Sequence, residues 1–285
     1  MPYYKTTIVA GRTIEVIKGY SKMIGNHNKR SARRNKTPEE VERINQRQAE
    51  ARLRRLINAN FGEGDIHLVL TYKKNDRPDP AEAKKRIDKF IRRLRTRYKK
   101  LGVELKYIHV TEYATSAIHH HLIINSIDSN LNKLIRECWP HGSPHLTPLD
   151  DTGQYKDLAA YLIKETSKTF KDPEAVHKQR YSTSKNLKKP HVKTVLIDSE
   201  RWREDPKPIK GYLIDKTSVE NGVSEWSGRR FQRYTMIRQD YGGRKTPEIL
   251  LATRRRRFQH EKSKDIHCNK QQLPTSVRKT VQLYS

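Results

Sequence analysis

Eight residues constrain this chain more than any others: Ile118-His119-His120-His121-Leu122-Ile123-Ile124-Asn125. On an extended strand successive side chains alternate faces. Ile118, His120, Leu122 and Ile124 therefore point one way, and His119, His121 and Ile123 the other. A strand that is apolar on both faces belongs in the middle of a sheet with cover on each side. The two imidazoles at i and i+2 share a face, roughly 6–7 Å apart along the backbone, and can converge on one ion. A neutral imidazole buried there needs a hydrogen bond or a ligand. Taken alone, the pattern also fits a histidine-rich strand satisfied structurally.

A carboxylate stands nearby. Leu105 to Glu112 reads as a strand, and the short connection Tyr113 to Ile118 implies antiparallel pairing, with Glu112 opposite His119. Directly opposed residues share a face, with Cβ atoms roughly 5 Å apart. Two imidazoles and one carboxylate with open positions suit Mn²⁺ or Mg²⁺ working on a phosphate, and Zn²⁺ is also compatible. A solvated hairpin glutamate is the bland alternative.

The surrounding pattern supplies the rest of a domain. Ile66 to Tyr72 reads as a mostly buried strand. Pro80 to Lys100 is an amphipathic helix with Ile87, Ile91, Leu94 and Tyr98 on one face. Its other face is basic, and Lys84, Arg92, Arg93 and Arg95 are candidate DNA-backbone contacts. Asn130–Cys138 predicts a short helix, His145–Leu149 a strand and Gln154–Lys168 a helix. The order β-α-β-β-α-β-α is that of a split βαβ, ferredoxin-like arrangement. The expected class is α+β: a central antiparallel sheet with flanking helices and basic N- and C-terminal extensions.

Around this core, 65–170, lie three further segments. Segment 1–64 combines short strands (Thr6–Val9, Thr13–Ile17), a basic tract (Lys29 to Lys36) and a helix opened by Thr37-Pro38-Glu39-Glu40, which has the form of a capping box. Segment 171–241 is a small β-rich accessory region, with strands at Thr194–Ile197, Tyr212–Val219 and Phe231–Ile237 and a hairpin turn expected at Asn221-Gly222. Segment 242–285 reads as a basic, mobile tail.

The chain carries 60 Lys+Arg against 32 Asp+Glu, a net charge of +28. A polyanionic partner is the simplest reason for such self-repulsion. No apolar run approaches a membrane span, and there is no secretory h-region, so no membrane partner is expected. Two isolated cysteines, Cys138 and Cys268, form no disulfide framework and fit a reducing cytoplasm. Cys138, His141 and His145 have partial zinc-site spacing but lack a fourth ligand.

Leu158 to Glu165 places Tyr161 and Lys164 at i and i+3, neighbours on one helical face. An ammonium beside a phenol favours the phenolate and can contact a phosphate. An ordinary helix with a half-buried tyrosine and a snorkelling lysine is the structural alternative. Tyr155 is a second tyrosine near the helix start, better suited to a structural role.

Together these motifs resemble the HUH endonucleases, specifically the single-tyrosine rolling-circle replication initiators of plasmids and small phages. Leu68 to Tyr72 is similar to the family's first-strand motif, His119-His120-His121 to its metal motif and Tyr161 to Lys164 to its nucleophile motif. Glu112 matches a Glu-Tyr that precedes the histidines in many initiators, while His120 departs from a usually apolar middle position. The resemblance implies a divalent metal (Mn²⁺ or Mg²⁺) on Glu112, His119 and His121. It implies that Tyr161, aided by Lys164, nicks and rejoins single-stranded or supercoiled origin DNA through a 5′-phosphotyrosine. A free 3′-hydroxyl would then prime a host polymerase, with a host helicase as a further partner, in the bacterial cytoplasm. Two alternatives stay open: a transposase or mobilisation relaxase of the same chemistry, and a basic nucleic-acid-binding protein without catalysis.

Overall fold

The computed structural model describes residues 2–20, 37–112, 117–127, 130–171, 179–224 and 228–239. The chain opens with a hairpin of β1 (Tyr3–Ala10) and β2 (Thr13–Gly19), followed by α1 (Pro38–Asn60). Next come β3 (Ile66–Leu70), α2 (Pro80–Lys100), β4 (Tyr107–Glu112), β5 (His119–Ile124), α3 (Leu131–Cys138), β6 (Pro144–Pro148) and α4 (Lys156–Lys171). The short β7 (Ser182–Thr183) precedes β8 (His191–Ile197), β9 (Tyr212–Val223) and β10 (Arg230–Arg238). The tract Lys29–Lys36 and the tail 242–285 lie outside the described residues.

One sheet has the order β6-β3-β5-β4-β7, every pair antiparallel. In it β5 separates β3 from β4, which is the split βαβ of an α+β, ferredoxin-like fold. Both faces of β5 are covered. Leu122 and Ile124 join Leu68 and Leu70 under α2 and α3. Ile123 joins Ile108 and Val110 beneath α1 and α4. Helix α2 buries Ala83, Ile87, Phe90, Ile91, Leu94 and Tyr98 along one stripe. Burying a large apolar side chain contributes roughly 1.5–3 kcal/mol, against propensity differences of about 0.7 kcal/mol or less per residue. Packing therefore sets its orientation.

Helix α1 begins with the expected capping box: Glu40 N–H donates to Thr37 Oγ1, and Thr37 N–H to the Glu40 carboxylate. Only its C-terminal third is buried, through Leu53, Ile57 and Asn58.

A second antiparallel sheet, β8-β1-β2-β10-β9, joins the N-terminal hairpin to the strands after residue 190. The hairpin lies inside this sheet, so the two flanks of the core make one structural element. The turn expected at Asn221-Gly222 is corrected. Both residues lie within β9, opposite Gln232 and Phe231. Gly222 sits under the Phe231 ring, where a Cβ would come within 2.9 Å of two ring carbons. The glycine serves a close aromatic contact, and β9 runs on to Val223.

The last turn of α1 ties the second sheet to the first. Asn58 Nδ2 donates to Thr13 Oγ1 and to Gln154 Oε1, each at 3.0 Å, and its Oδ1 accepts from Tyr155 N–H at 3.1 Å. Gly11, at φ +56°, passes so close that a Cβ would lie 1.8 Å from the Asn58 carbonyl oxygen. Nearby, the buried Glu15 carboxylate receives Arg54 and Arg55. One side chain thus fixes β2, α1 and the approach to α4. Replacing Asn58 with Ala strands a buried Tyr155 N–H and two side-chain partners, and each unsatisfied buried group costs about 1–3 kcal/mol. We expect Asn58→Ala to lower stability by about 2–4 kcal/mol in urea unfolding. A midpoint within error of wild type would mean the joint contributes little.

Candidate active site

The β4–β5 register pairs Glu112 with His119 and Val110 with His121. Because opposed residues share a face, Glu112, His119 and His121 emerge together on the side covered by α1 and α4. His119 Nε2 lies 3.0 Å from Glu112 Oε2, and His121 Nε2 lies 3.8 Å from the same oxygen. One ligand atom from each of the three residues lies within 4.8 Å of the others, the one such group among the described residues.

The second nitrogen of each imidazole is committed elsewhere. His119 Nδ1 donates to the Ala117 carbonyl at 2.8 Å, so Nε2 is the nitrogen turned to Glu112. His121 Nδ1 lies 3.3 Å from His67 Nε2. Burial, reinforced by the neighbouring His121, pushes His67 down to about 3, so His67 stays neutral and can accept that proton. The buried Nε2 of His121 then points to the cluster and makes no hydrogen bond of its own among the described residues. An orphaned imidazole nitrogen, a second imidazole and a carboxylate, each oriented by an outer partner, fit a divalent cation.

Protonation states favour the same reading. Burial raises the Glu112 carboxyl, but the hydrogen bond from His119 and the nearby His121 outweigh it, so Glu112 stays ionised. Burial opposes charge on His119, and its bond to Glu112 overcomes this and raises it. His121, more deeply enclosed, is lowered by burial. Glu165, on α4, is raised by burial and by the charge of Glu112, with which it shares a hydrogen bond. Of this carboxyl pair at the edge of the cluster, Glu165 is thus the member that holds a proton more readily.

Helix α4 carries Tyr161 against this group. Leu158, Ala159, Leu162 and Ile163 are buried in the core, which turns Tyr161 toward the sheet. Its ring meets His121 edge-on, with centroids 5.5 Å apart. Lys164 is exposed one turn further on. Glu165 follows Tyr161 by four residues and so shares its face. Two participants, His67 and Glu165, were not singled out from the sequence. Strand parity from His67 to its neighbour His121, and the i, i+4 spacing from Tyr161 to Glu165, are the signals that point to them.

The remaining candidates lie elsewhere. His120 is fully buried on the opposite face, where Nε2 meets Tyr72 Oη at 2.9 Å and Nδ1 meets Thr111 Oγ1 at 3.0 Å. Tyr155 is buried and donates to the Asp150 carbonyl. Cys138 belongs to the core under α2 and α3, His141 to an ion pair with Asp76, and His145 is exposed on β6. They do not converge. Lys84, Arg92, Arg93 and Arg95 are exposed on α2, in the layer across the sheet from the histidine cluster. Helices α1 and α4 cover the cluster's own side of the sheet, and Arg43, Arg47 and Arg52 of α1 and Lys164 of α4 are exposed.

Residues 65–170 match the family model described as Replication-associated protein ORF2/G2P. The match supports a replication-initiator family and role for this core. No curated protein and no solved structure matches the chain. No described helix is long and apolar enough to cross a membrane.

Metal affinity should separate the two faces of β5. His119→Ala and His121→Ala should each weaken Mn²⁺ binding more than tenfold in calorimetric titration, and removal of the outer partner in His67→Phe by about 10-fold or more. His120→Ala should leave Mn²⁺ affinity within a few-fold while costing about 1–3 kcal/mol of stability, since it strands the Tyr72 hydroxyl. Equal metal loss in His120→Ala would contradict the face assignment.

Affinity should also fall with pH. A ligand imidazole must shed its proton, and His119 holds its proton above the usual imidazole value of ~6.5. The loss therefore begins above pH ~6.5 and deepens below it. Titrations at several pH values check this, and a flat profile would remove His119 from the ligand set.

Proposed function

We propose that this protein is a rolling-circle replication initiator of the HUH type, a metal-dependent nickase and ligase for single-stranded origin DNA. The observation that carries the reading is Tyr161 packed directly against His121, on a helix held beside the Glu112-His119-His121 group. The family match over the same residues points to replication rather than to transposition or plasmid mobilisation.

Glu112, His119 and His121 would hold Mn²⁺ or Mg²⁺. Bound there, the ion would polarise the scissile phosphate and neutralise charge in the in-line transition state. Tyr161 Oη attacks phosphorus as its proton passes to solvent. An O–P bond forms to the tyrosine as the P–O3′ bond breaks, and the departing oxygen takes a proton as a 3′-hydroxyl. The 5′-phosphate stays on Tyr161 as a phosphodiester, so rejoining is the reverse exchange and needs no nucleotide triphosphate. Lys164 stabilises the phenolate and the phosphoryl oxygens electrostatically. His67 and the Ala117 carbonyl keep both imidazoles presenting Nε2. The exposed Arg43, Arg47 and Arg52 of α1, the helix that shares a core cluster with α4, suit a single strand's backbone. The freed 3′-hydroxyl would serve a host polymerase, with unwinding by a host helicase in the bacterial cytoplasm.

Labelled single-stranded origin DNA, incubated with Mn²⁺ and run on a denaturing gel, tests this. Wild type should give a covalent protein–DNA band that maps to Tyr161. Tyr161→Phe, which keeps the ring against His121, should give none while binding DNA normally. Lys164→Ala should slow adduct formation by about 10²–10³-fold. A released 5′-phosphate with no adduct would indicate a hydrolytic nuclease, and binding without any cleavage a non-catalytic protein.

A further inference from the structure

The second sheet segregates its charge by face. The register places Lys5 opposite Lys18, Lys18 opposite Gln232, and Lys193 opposite Thr7, itself opposite Val16. By alternation, Lys5, Lys18, Lys193, Arg230 and Arg238 share one face. Every carboxylate in the five strands, namely Glu15, Asp215 and Glu220, lies on the other. That other face meets α1 through Glu15, Arg54 and Arg55. Arg230 is answered by Glu204 from the loop before β9.

Lys5, Lys18 and Lys193 have no carboxylate partner among the described residues. They stand on three adjacent strands, β8, β1 and β2, spaced ~4.8 Å apart. Directly opposed like charges destabilise a sheet, yet Lys5 and Lys18 are such a pair. Lys18 is only 9% exposed. Its ammonium donates to Gln232 Oε1 at 2.8 Å and lies over the Tyr234 ring at 5.4 Å. Burying a cation beside a second cation is costly without an anion. Lysines on sheet edges discourage aggregation, which accounts for Lys193 on the edge strand β8. It does not account for Lys5 and Lys18 on interior strands.

We propose that this face is a second DNA site, which holds the phosphate backbone of duplex DNA flanking the nicked strand. Phosphate oxygens would supply the anion that the lysine cluster lacks. Of the aromatic rings on this face, Tyr3 and Tyr234 are buried, Tyr3 against Trp202 of the loop after β8, and Tyr212, opposite Arg238, is half-buried. Lysine ammoniums meet phosphate oxygens without reading base edges, so the site recognises backbone and not sequence. The inference rests on the reading that this protein handles DNA but not on its nicking chemistry.

Fluorescence anisotropy with a 20-base-pair duplex in EDTA, titrated across NaCl concentrations, tests it without any cleavage. Each phosphate contact contributes about 0.9 to the slope of log affinity against log salt. Lys5→Gln/Lys193→Gln should therefore flatten the slope by about 1.8, and adding Lys18→Met should flatten it further. The double variant changes only the two less buried lysines, so its thermal melt should match wild type even if the triple variant unfolds. Adduct formation on a short single strand without flanks should be unchanged. A wild-type salt slope in the double variant would overturn the proposal. So would a parallel loss of adduct on the short strand, or lysine-dependent binding to anionic vesicles without any to duplex. Loss of nicking with lysine-dependent duplex binding intact would instead count against the catalytic reading alone.

Discussion

The pairing of Glu112 with His119 is the constraint on which the site depends. A one-residue slip would send every side chain of β5 to the opposite face, carrying His119 and His121 away from Glu112. The slip is prevented by burial on both sides. Leu122 and Ile124 are held under α2 and α3, and Ile123 is held under α1 and α4. The apolar residues that make β5 a central strand are therefore what set the geometry of its histidines.

The neighbouring polar groups work on the two faces in different ways. On one, His120, Tyr72, Thr111 and His109 form a buried hydrogen-bonded chain that reaches the surface at Ser182. Satisfied in this way, His120 is stable as a neutral core residue. On the other face, His67 and the Ala117 carbonyl orient two imidazoles and leave their Nε2 atoms toward a carboxylate. Three consecutive histidines thus serve two purposes, separated by the pleat. Helix α4 adds Tyr161 because Asn58 and the buried Leu158 and Leu162 fix where that helix begins and how it is rotated.

Charge is distributed with similar separation. Basic side chains on α2 lie across the sheet from the histidine cluster, α1 covers the cluster's own side, and the lysines of the second sheet without a carboxylate partner among the described residues form a third group. A chain of net charge +28 is poorly described as uniformly basic, since Glu15 and its arginines neutralise one internal contact. Each cationic group has its own neighbours, and the Glu112-His119-His121 group lies on one side of the core.

Much of this was legible in the residues themselves. Period-two alternation in Ile118–Asn125, the amphipathic stripe from Ile87 to Tyr98 and the capping box at Thr37 depend only on near neighbours, and each forms where local pattern places it. The short connection after Glu112 was enough to put a carboxylate opposite an imidazole. Other features depend on residues far apart in the chain. His67 reaches His121 because β3 pairs with β5, and Glu165 reaches Glu112 because α4 packs over β4. Gly222 reads locally as a turn, yet Phe231 across the strand decides its use. The N-terminal hairpin finds its partners more than 170 residues away, and the joint at Asn58 has no local signature. Alternation and capping are properties of a segment, whereas strand order, helix docking and the companions of a buried charge are settled only when distant segments compete for the same core.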